Sequence, residues 1–112
     1  MICALEDLIP ESHLSGGAEL TWRAGPLRKG AGLCHGTAGN GFALLKLYEL
    51  TADERWLERA RRFAMHAAEQ VERDRKLFGR GRYTLWTGDI GVALYLRACV
   101  ARDSRFPTID RY

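Results

Sequence analysis

Two segments of this chain are apolar on nearly every side, and no other feature of the sequence limits the fold as strongly. They are GFALLKLYEL at residues 41–50 and DIGVALYLRACVA at residues 89–101. Lys46 and Glu49 are the only charges in the first, and Arg97 is the lone charge in the middle of the second. A helix that is apolar all round has to be enclosed by other helices. Both segments are therefore predicted to be inner helices.

The segment between them, TADERWLERARRFAMHAAEQVERD at residues 51–74, has a different pattern. Its apolar residues recur at steps of three or four, whereas arginines and glutamates occupy the other face, which is typical of a half-exposed helix. Thr51 and Glu54 have the spacing of a capping box, in which two side chains close the first backbone amides of a helix. An outer helix is predicted to begin there.

The two inner helices also begin alike. GTAGNGFALL starts at Gly36 and GDIGVALYL at Gly88, 52 residues later, and each contains G-x-x-G followed by an Ala-Leu pair. A period near fifty residues with one buried and one amphipathic helix is typical of helical-hairpin repeats, which must stack to cover their apolar faces. We therefore predict an all-α fold. The glycines favour close helix packing, or backbone amides exposed toward a site, and both can hold together.

The composition narrows the functional classes. With 112 residues, 46% of them apolar, one domain at most is expected. The net charge of +3 is small and scattered, which does not favour nucleic acid. Three cysteines, Cys3, Cys34 and Cys99, are an odd number without close pairing, which favours a reducing compartment. No apolar stretch is long enough for a membrane span and no secretory signal begins the chain, so a cytoplasmic protein is predicted.

Cys34 and His35 stand side by side in the glycine-rich stretch GAGLCHGTAGNG, residues 30–41. Thiolate and imidazole are both zinc ligands, and the glycines permit an irregular turn that brings neighbouring side chains together. The residues alone leave three interpretations open: a core pair, a metal site, or a cysteine nucleophile with its base. A catalytic zinc site takes about three protein ligands. The other cysteines and histidines are poor candidates: Cys99 is predicted to be buried, His66 to lie on the charged helix face, and Cys3 and His13 to lie where no periodicity predicts structure. The third ligand is therefore expected to be missing from this chain.

Residues 29–36, KGAGLCHG, resemble the last zinc-binding repeat of the lanthionine synthetase C-like (LanC-like) proteins. Trp86-Thr87-Gly88-Asp89 and Arg105-Phe106-Pro107 are similar to the carboxy-terminal region of that family. The resemblance implies an α/α toroid, a barrel of inner helices ringed by outer ones, of which this chain holds only the last inner and outer helices. It covers residues 21–112 as the carboxy-terminal part of the toroid, and leaves residues 1–20 as an N-terminal segment without assignment.

The resemblance also implies a chemistry. In the family a zinc ion holds a thiol, cysteine or glutathione, that adds to a dehydroamino-acid peptide and forms a thioether. Cys34 and His35 match two of the three zinc ligands, and Lys29 matches a lysine associated with glutathione. The loop KLFGRGRY lacks the arginine-proline-aspartate pattern of some relatives, although Arg80 and Arg82 could supply its charge. The first zinc cysteine and the other catalytic residues of the family lie upstream, so this chain alone is expected to bind zinc weakly or not at all and to be inactive.

Two alternatives stay open. The chain could be a non-catalytic helical-repeat fragment that self-associates or binds a partner through exposed inner helices. It could also belong to a toroid with another chemistry, since α/α toroids house glycosidases and prenyl-chain enzymes as well. Those enzymes depend on acidic residues at the barrel mouth. The acidic residue at an inner-helix start is Asp89, for which an N-cap role is predicted.

Overall fold

The computed structural model describes residues 8–26, 28 and 30–110. Within them the chain forms four α-helices and no strand: α1 Glu11–Ala24, α2 Thr37–Thr51, α3 Glu54–Phe78 and α4 Asp89–Ala101. The prediction of an all-α fold is confirmed. None of these helices is long and apolar enough to cross a membrane.

Helix α2 is enclosed, as its apolar sequence predicts. Eight of its residues are buried, and they include the charged Lys46, which is 5% exposed. The ammonium of Lys46 lies 3.6 Å from Asp110 and 4.0 Å from Glu49, so the buried charge has carboxylate partners. The helix begins at Thr37, four residues before the apolar run. The residues between Gly36 and the run are helical although they carry no apolar pattern.

Helix α3 is amphipathic, and its buried face matches the predicted stripe. The buried residues are Trp56, Leu57, Ala60, Phe63, Ala64, Ala67 and Gln70. The predicted capping box is wrong. The N-cap is Asp53, whose carboxylate accepts a hydrogen bond from the Arg55 amide at 3.0 Å. Thr51 is instead the last residue of α2, and its hydroxyl donates to the Leu47 carbonyl, because the chain reverses within two residues at the left-handed Ala52.

Helix α4 has the predicted bounds, but its N-terminus differs from the prediction. Gly88 is the N-cap and Asp89 is the first helical residue. The Asp89 carboxylate accepts a hydrogen bond from the Arg82 amide at 3.1 Å, so it braces the preceding loop instead of capping the helix. The helix is also less enclosed than its sequence predicts, since Ile90 is 45% and Val100 82% exposed. One apolar face of α4 is uncovered by the residues that the structure describes.

Tyr95 ties the three central helices together. It is fully buried on α4, passes the backbone of α2 at Gly41, and its hydroxyl donates to the Ala60 carbonyl of α3. A Cβ at Gly41 would lie 2.0 Å from the Tyr95 oxygen, so the glycine makes the crossing possible. Burial raises the pKa of Tyr95 well above its ordinary value, which keeps the hydroxyl a hydrogen-bond donor. One turn later Cys99 is buried beside the same Ala60 carbonyl, as predicted for this cysteine.

Helix α1, which no sequence pattern predicted, packs mainly on α2, and its side chains also contact α3. Leu14 and Ala18 are buried, and the guanidinium of Arg59 lies 5.0 Å from the ring centre of Trp22. Arg59 also donates to Glu19, and this hydrogen bond holds the pKa of that carboxyl below its ordinary value. The charged face of α3 is therefore not all exposed to solvent, because α1 covers the part around Arg59.

Candidate functional site

Both inner helices are entered through the same kind of turn. Gly36 and Gly88 are extended N-caps with nearly equal angles, φ −122° and ψ −170° against φ −123° and ψ −167°. The amide of Thr37 donates to the carbonyl seven residues earlier at 3.1 Å, and the amide of Asp89 does the same at 2.7 Å. The 52-residue repeat of the sequence is therefore also a repeat of backbone structure.

The second glycine of each G-x-x-G lies against the turn before it. A Cβ at Gly39 would lie 2.1 Å from the Leu33 carbonyl oxygen, and a Cβ at Gly91 would lie 2.2 Å from that of Leu85. Real Cβ atoms do not come this close to backbone oxygen. The interpretation of these glycines as close-packing residues is confirmed, and the structure they pack against is the turn that precedes the helix.

The two turns are also joined to each other. The amide of Cys34 donates to the carbonyl of Trp86 at 2.9 Å, and these residues are at equivalent positions of the repeat. A Cβ at Gly32 would lie 2.8 Å from the same oxygen. The backbone at Cys34 is thus fixed by the neighbouring repeat.

The side chains of Cys34 and His35 are both exposed, although the backbone beneath them is fixed. This exposure contradicts the interpretation of the pair as core residues. The other candidate ligands lie apart: Cys99 is buried between helices, and His66 is half-buried on α3 instead of exposed as predicted. In the part of the chain that the structure describes, no group of three or more His, Cys, Asp or Glu side chains could hold a metal. Cys3 and Lys29 lie outside the described residues.

A buried hydrogen bond anchors the helix that follows the pair, and sequence reasoning missed it. The hydroxyl of Thr37 donates to the side-chain oxygen of Gln70 on α3, and both residues are buried. Its position could have indicated that Gln70 is buried, since it lies three residues after the buried Ala67 and therefore on the same helix face. The contact holds the start of α2 against the outer helix.

A hollow rich in arginine lies where α3 ends and the turn before α4 begins. It measures about 320 Å³ and is lined by Asp74, Arg75, Phe78, Arg80, Gly81, Arg82 and Asp89. The guanidinium of Arg82 lies 5.9 Å from the ring centre of Phe78. Arg80 and Arg82, the two arginines that the sequence analysis named in this loop, line the same hollow. Arg75 is a third cation in its lining, and the sequence analysis did not name it. The turn that carries Arg82 is the one bonded to Cys34, so the hollow belongs to the same end of the inner helices.

Comparison with known sequences decides the family. The sequence model of the lanthionine synthetase C-like proteins matches residues 7–111. The chain belongs to this family. The match begins before the region of resemblance seen in the sequence, and it includes all of helix α1.

Two relatives of this LanC-like chain show how much of a family member it spans. It is 52% identical over 46 residues to the Danio rerio protein "Glutathione S-transferase LANCL1", which covers 41% of this chain and 11% of that protein. It is 34% identical over 101 residues to the Arabidopsis thaliana "LanC-like protein GCL1", which covers 80% of this chain and 21% of that protein. The chain therefore spans about a fifth or less of the length of these relatives.

The two described cysteines of the LanC-like chain should differ sharply in reactivity. In a Cys3→Ser background, we expect a disulfide reagent such as Ellman's reagent to modify Cys34 rapidly and Cys99 only on unfolding. Cys34 is exposed, whereas burial raises the pKa of the Cys99 thiol and so removes the reactive thiolate. The measurement is the time course of thiol release, with Cys34→Ser as the control that should lose the fast phase. A fast phase that survives in Cys34→Ser would contradict the assignment.

Proposed function

We propose that this chain is the carboxy-terminal part of a LanC-like zinc protein that adds a thiol to a dehydroamino acid and forms a thioether. Cys34 and His35 would supply two of the zinc ligands. The observation that carries the proposal is their arrangement: two adjacent, exposed donor side chains on a turn whose backbone is fixed by Trp86 of the next repeat. Ligands held on rigid backbone are what a metal site requires.

The donor chemistry of the pair fits zinc. A cysteine thiolate and a neutral imidazole are the usual protein ligands of this ion, and a catalytic site keeps an open position for its substrate. Bound zinc would lower the pKa of a substrate thiol and keep it a nucleophilic thiolate. The part of this chain would be to hold two donors at fixed separation, and the remaining ligand would come from outside the described residues.

The arginine hollow supports a thiol substrate with carboxylates, such as glutathione. Arg75, Arg80 and Arg82 outnumber the two aspartates that line the same hollow, and a guanidinium binds a carboxylate with two parallel hydrogen bonds. The name of the Danio rerio relative, a glutathione S-transferase, agrees with this substrate class. Lys29, five residues before Cys34 in the sequence, is proposed as a further carboxylate contact. A reducing, cytoplasmic compartment would keep the thiol of Cys34 and the thiol of the substrate from forming disulfides.

The test is zinc content in a complete family background. The matched segment of the Arabidopsis protein would be replaced by this chain, and zinc per molecule measured by elemental analysis. We expect about one zinc per chimera, lost in Cys34→Ala and in His35→Ala and retained in the matched control Cys99→Ala, because only the first two are proposed ligands. The isolated chain, titrated with Co²⁺ as a spectroscopic substitute, is expected to bind far more weakly.

Two results would contradict the proposal. Zinc that persists in the folded Cys34→Ala chimera would exclude this cysteine as a ligand. A tight complex of one metal ion with the isolated monomer would show that the chain completes the site by itself.

The uncovered face of α4 supports a second candidate function, self-association through an inner helix. Ile90 and Val100 are exposed, as is Ala93 between them, so exposed apolar residues lie on both sides of the exposed Arg97 along this face of the helix. Light scattering on the isolated chain would give its mass. A dimer that dissociates when Val100 is changed to Glu would favour this function for the chain on its own.

A further inference from the structure

A second hollow, distinct from the arginine hollow, lies between α2, the carboxy-terminal half of α4 and the segment after it. It measures about 180 Å³. Its walls include an aromatic ring, a leucine, two alanines and a proline, namely Phe42, Leu94, Ala98, Ala101 and Pro107. This apolar surface would favour the apolar part of a ligand, because covering it removes it from water.

The rim of this hollow carries an arginine that nothing else in the described chain explains. Arg97 is the lone charge in the middle of α4, it is exposed, and no hydrogen bond or ion pair joins it to another described residue. The second arginine of the rim, Arg105, is different, since two of its nitrogens lie 2.9 Å from the Asp103 carboxylate. The rim therefore has one neutralised guanidinium and one that is open to a ligand.

We propose that this hollow binds a small carboxylate with an apolar body about the size of a benzene ring. A dry protein cavity of roughly 150 Å³ is known to accept benzene, so the volume suits a body of that size. The guanidinium of Arg97 would bind the carboxylate by charge-assisted hydrogen bonds, while the ring lies on the apolar walls. The site is independent of the proposed zinc chemistry, which uses other residues.

The test uses two probes of nearly the same size and shape, of which only one is charged. Benzoate and benzamide would be titrated into the ¹⁵N-labelled full chain, and amide shifts followed by NMR. We expect benzoate to bind about tenfold more tightly than benzamide, the effect of one charge-assisted hydrogen-bonded contact, with shifts concentrated in residues 94–108. Arg97→Gln should make the two probes equal. Ala101→Leu, which fills the hollow from its exposed rim, should weaken both.

Matched controls separate the site from general attraction of anions to a basic protein. Arg73→Gln removes an exposed arginine of α3 that lies outside both hollows, and should leave benzoate binding unchanged. Equal affinity for the two probes in the native chain would overturn the proposal. So would benzoate shifts centred on the arginine hollow, or the same loss in Arg73→Gln as in Arg97→Gln. Retained amide spectra would establish that each variant is folded.

Discussion

Replacing Gly39 by alanine is expected to destabilise the chain by about 3 kcal/mol, at the upper end of the usual cost of overpacking. The added Cβ would lie 2.1 Å from the Leu33 carbonyl oxygen, and this atom is backbone that cannot rotate away. Either the turn before α2 or the helix itself must shift. The free energy of unfolding, measured by urea denaturation followed by circular dichroism, gives the result.

A second glycine in a helix provides the control. Gly16 lies in α1, and a Cβ there would meet nothing within 4 Å. Gly16→Ala should therefore stabilise the chain by about 0.5–1 kcal/mol through helix propensity alone. Gly91→Ala should resemble Gly39→Ala, because the equivalent contact at Leu85 is 2.2 Å. If Gly39→Ala were as harmless as Gly16→Ala, the close packing of the repeat would be refuted.

Truncation of Phe42 to alanine is expected to cost about 4 kcal/mol, the middle of the range for a buried phenylalanine. Phe42 is 1% exposed, and its ring centre lies 5.1 Å from that of Tyr95 and 5.0 Å from that of Phe106. The loss would leave a cavity where α2, α4 and the carboxy-terminal segment meet. Since domains of this size are stable by about 5–15 kcal/mol, the midpoint of urea unfolding should fall by a large fraction.

Phe78→Ala is the matched control, because this phenylalanine at the end of α3 is 59% exposed. Its truncation should change the free energy of unfolding by less than about 0.5 kcal/mol. Phe42→Leu should fall between the two, since most of the apolar volume is kept. A cost below about 1 kcal/mol for Phe42→Ala would mean that the segment around Phe106 does not pack on α2 as described.

The packing of Phe42 against Phe106 also bears on the candidate metal site. Phe106 lies between Phe42 and Trp86, with its ring centre 6.0 Å from that of Trp86, and the Trp86 carbonyl accepts the Cys34 amide. Asp110 holds the same segment in place, because its carboxylate accepts a hydrogen bond from the Phe106 amide at 2.7 Å and lies 3.6 Å from the Lys46 ammonium. The Arg-Phe-Pro motif at the end of the chain thus supports the turn that carries the metal-ligand candidates.

The sequence by itself predicted the features that depend on local periodicity and repetition. The apolar runs of α2 and α4, the amphipathic pattern of α3 and the 52-residue spacing of Gly36 and Gly88 all correspond to helices and turns in the structure. The sequence also identifies Cys34 and His35 as candidate ligands, because a cysteine beside a histidine in a glycine-rich stretch places two zinc-binding side chains next to each other. The burial of Cys99 followed from its depth in an apolar helix.

Only the tertiary structure decided which polar groups meet across helices. The packing of α1, the cover over Arg59, and the bond between Thr37 and Gln70 all join residues far apart in the chain. Periodicity assigns a residue to a face of its own helix, but it does not specify the helix that covers that face. The N-cap of α3 is Asp53 and not the predicted Thr51. The turn between α2 and α3 is so short that Thr51 is still the last residue of α2.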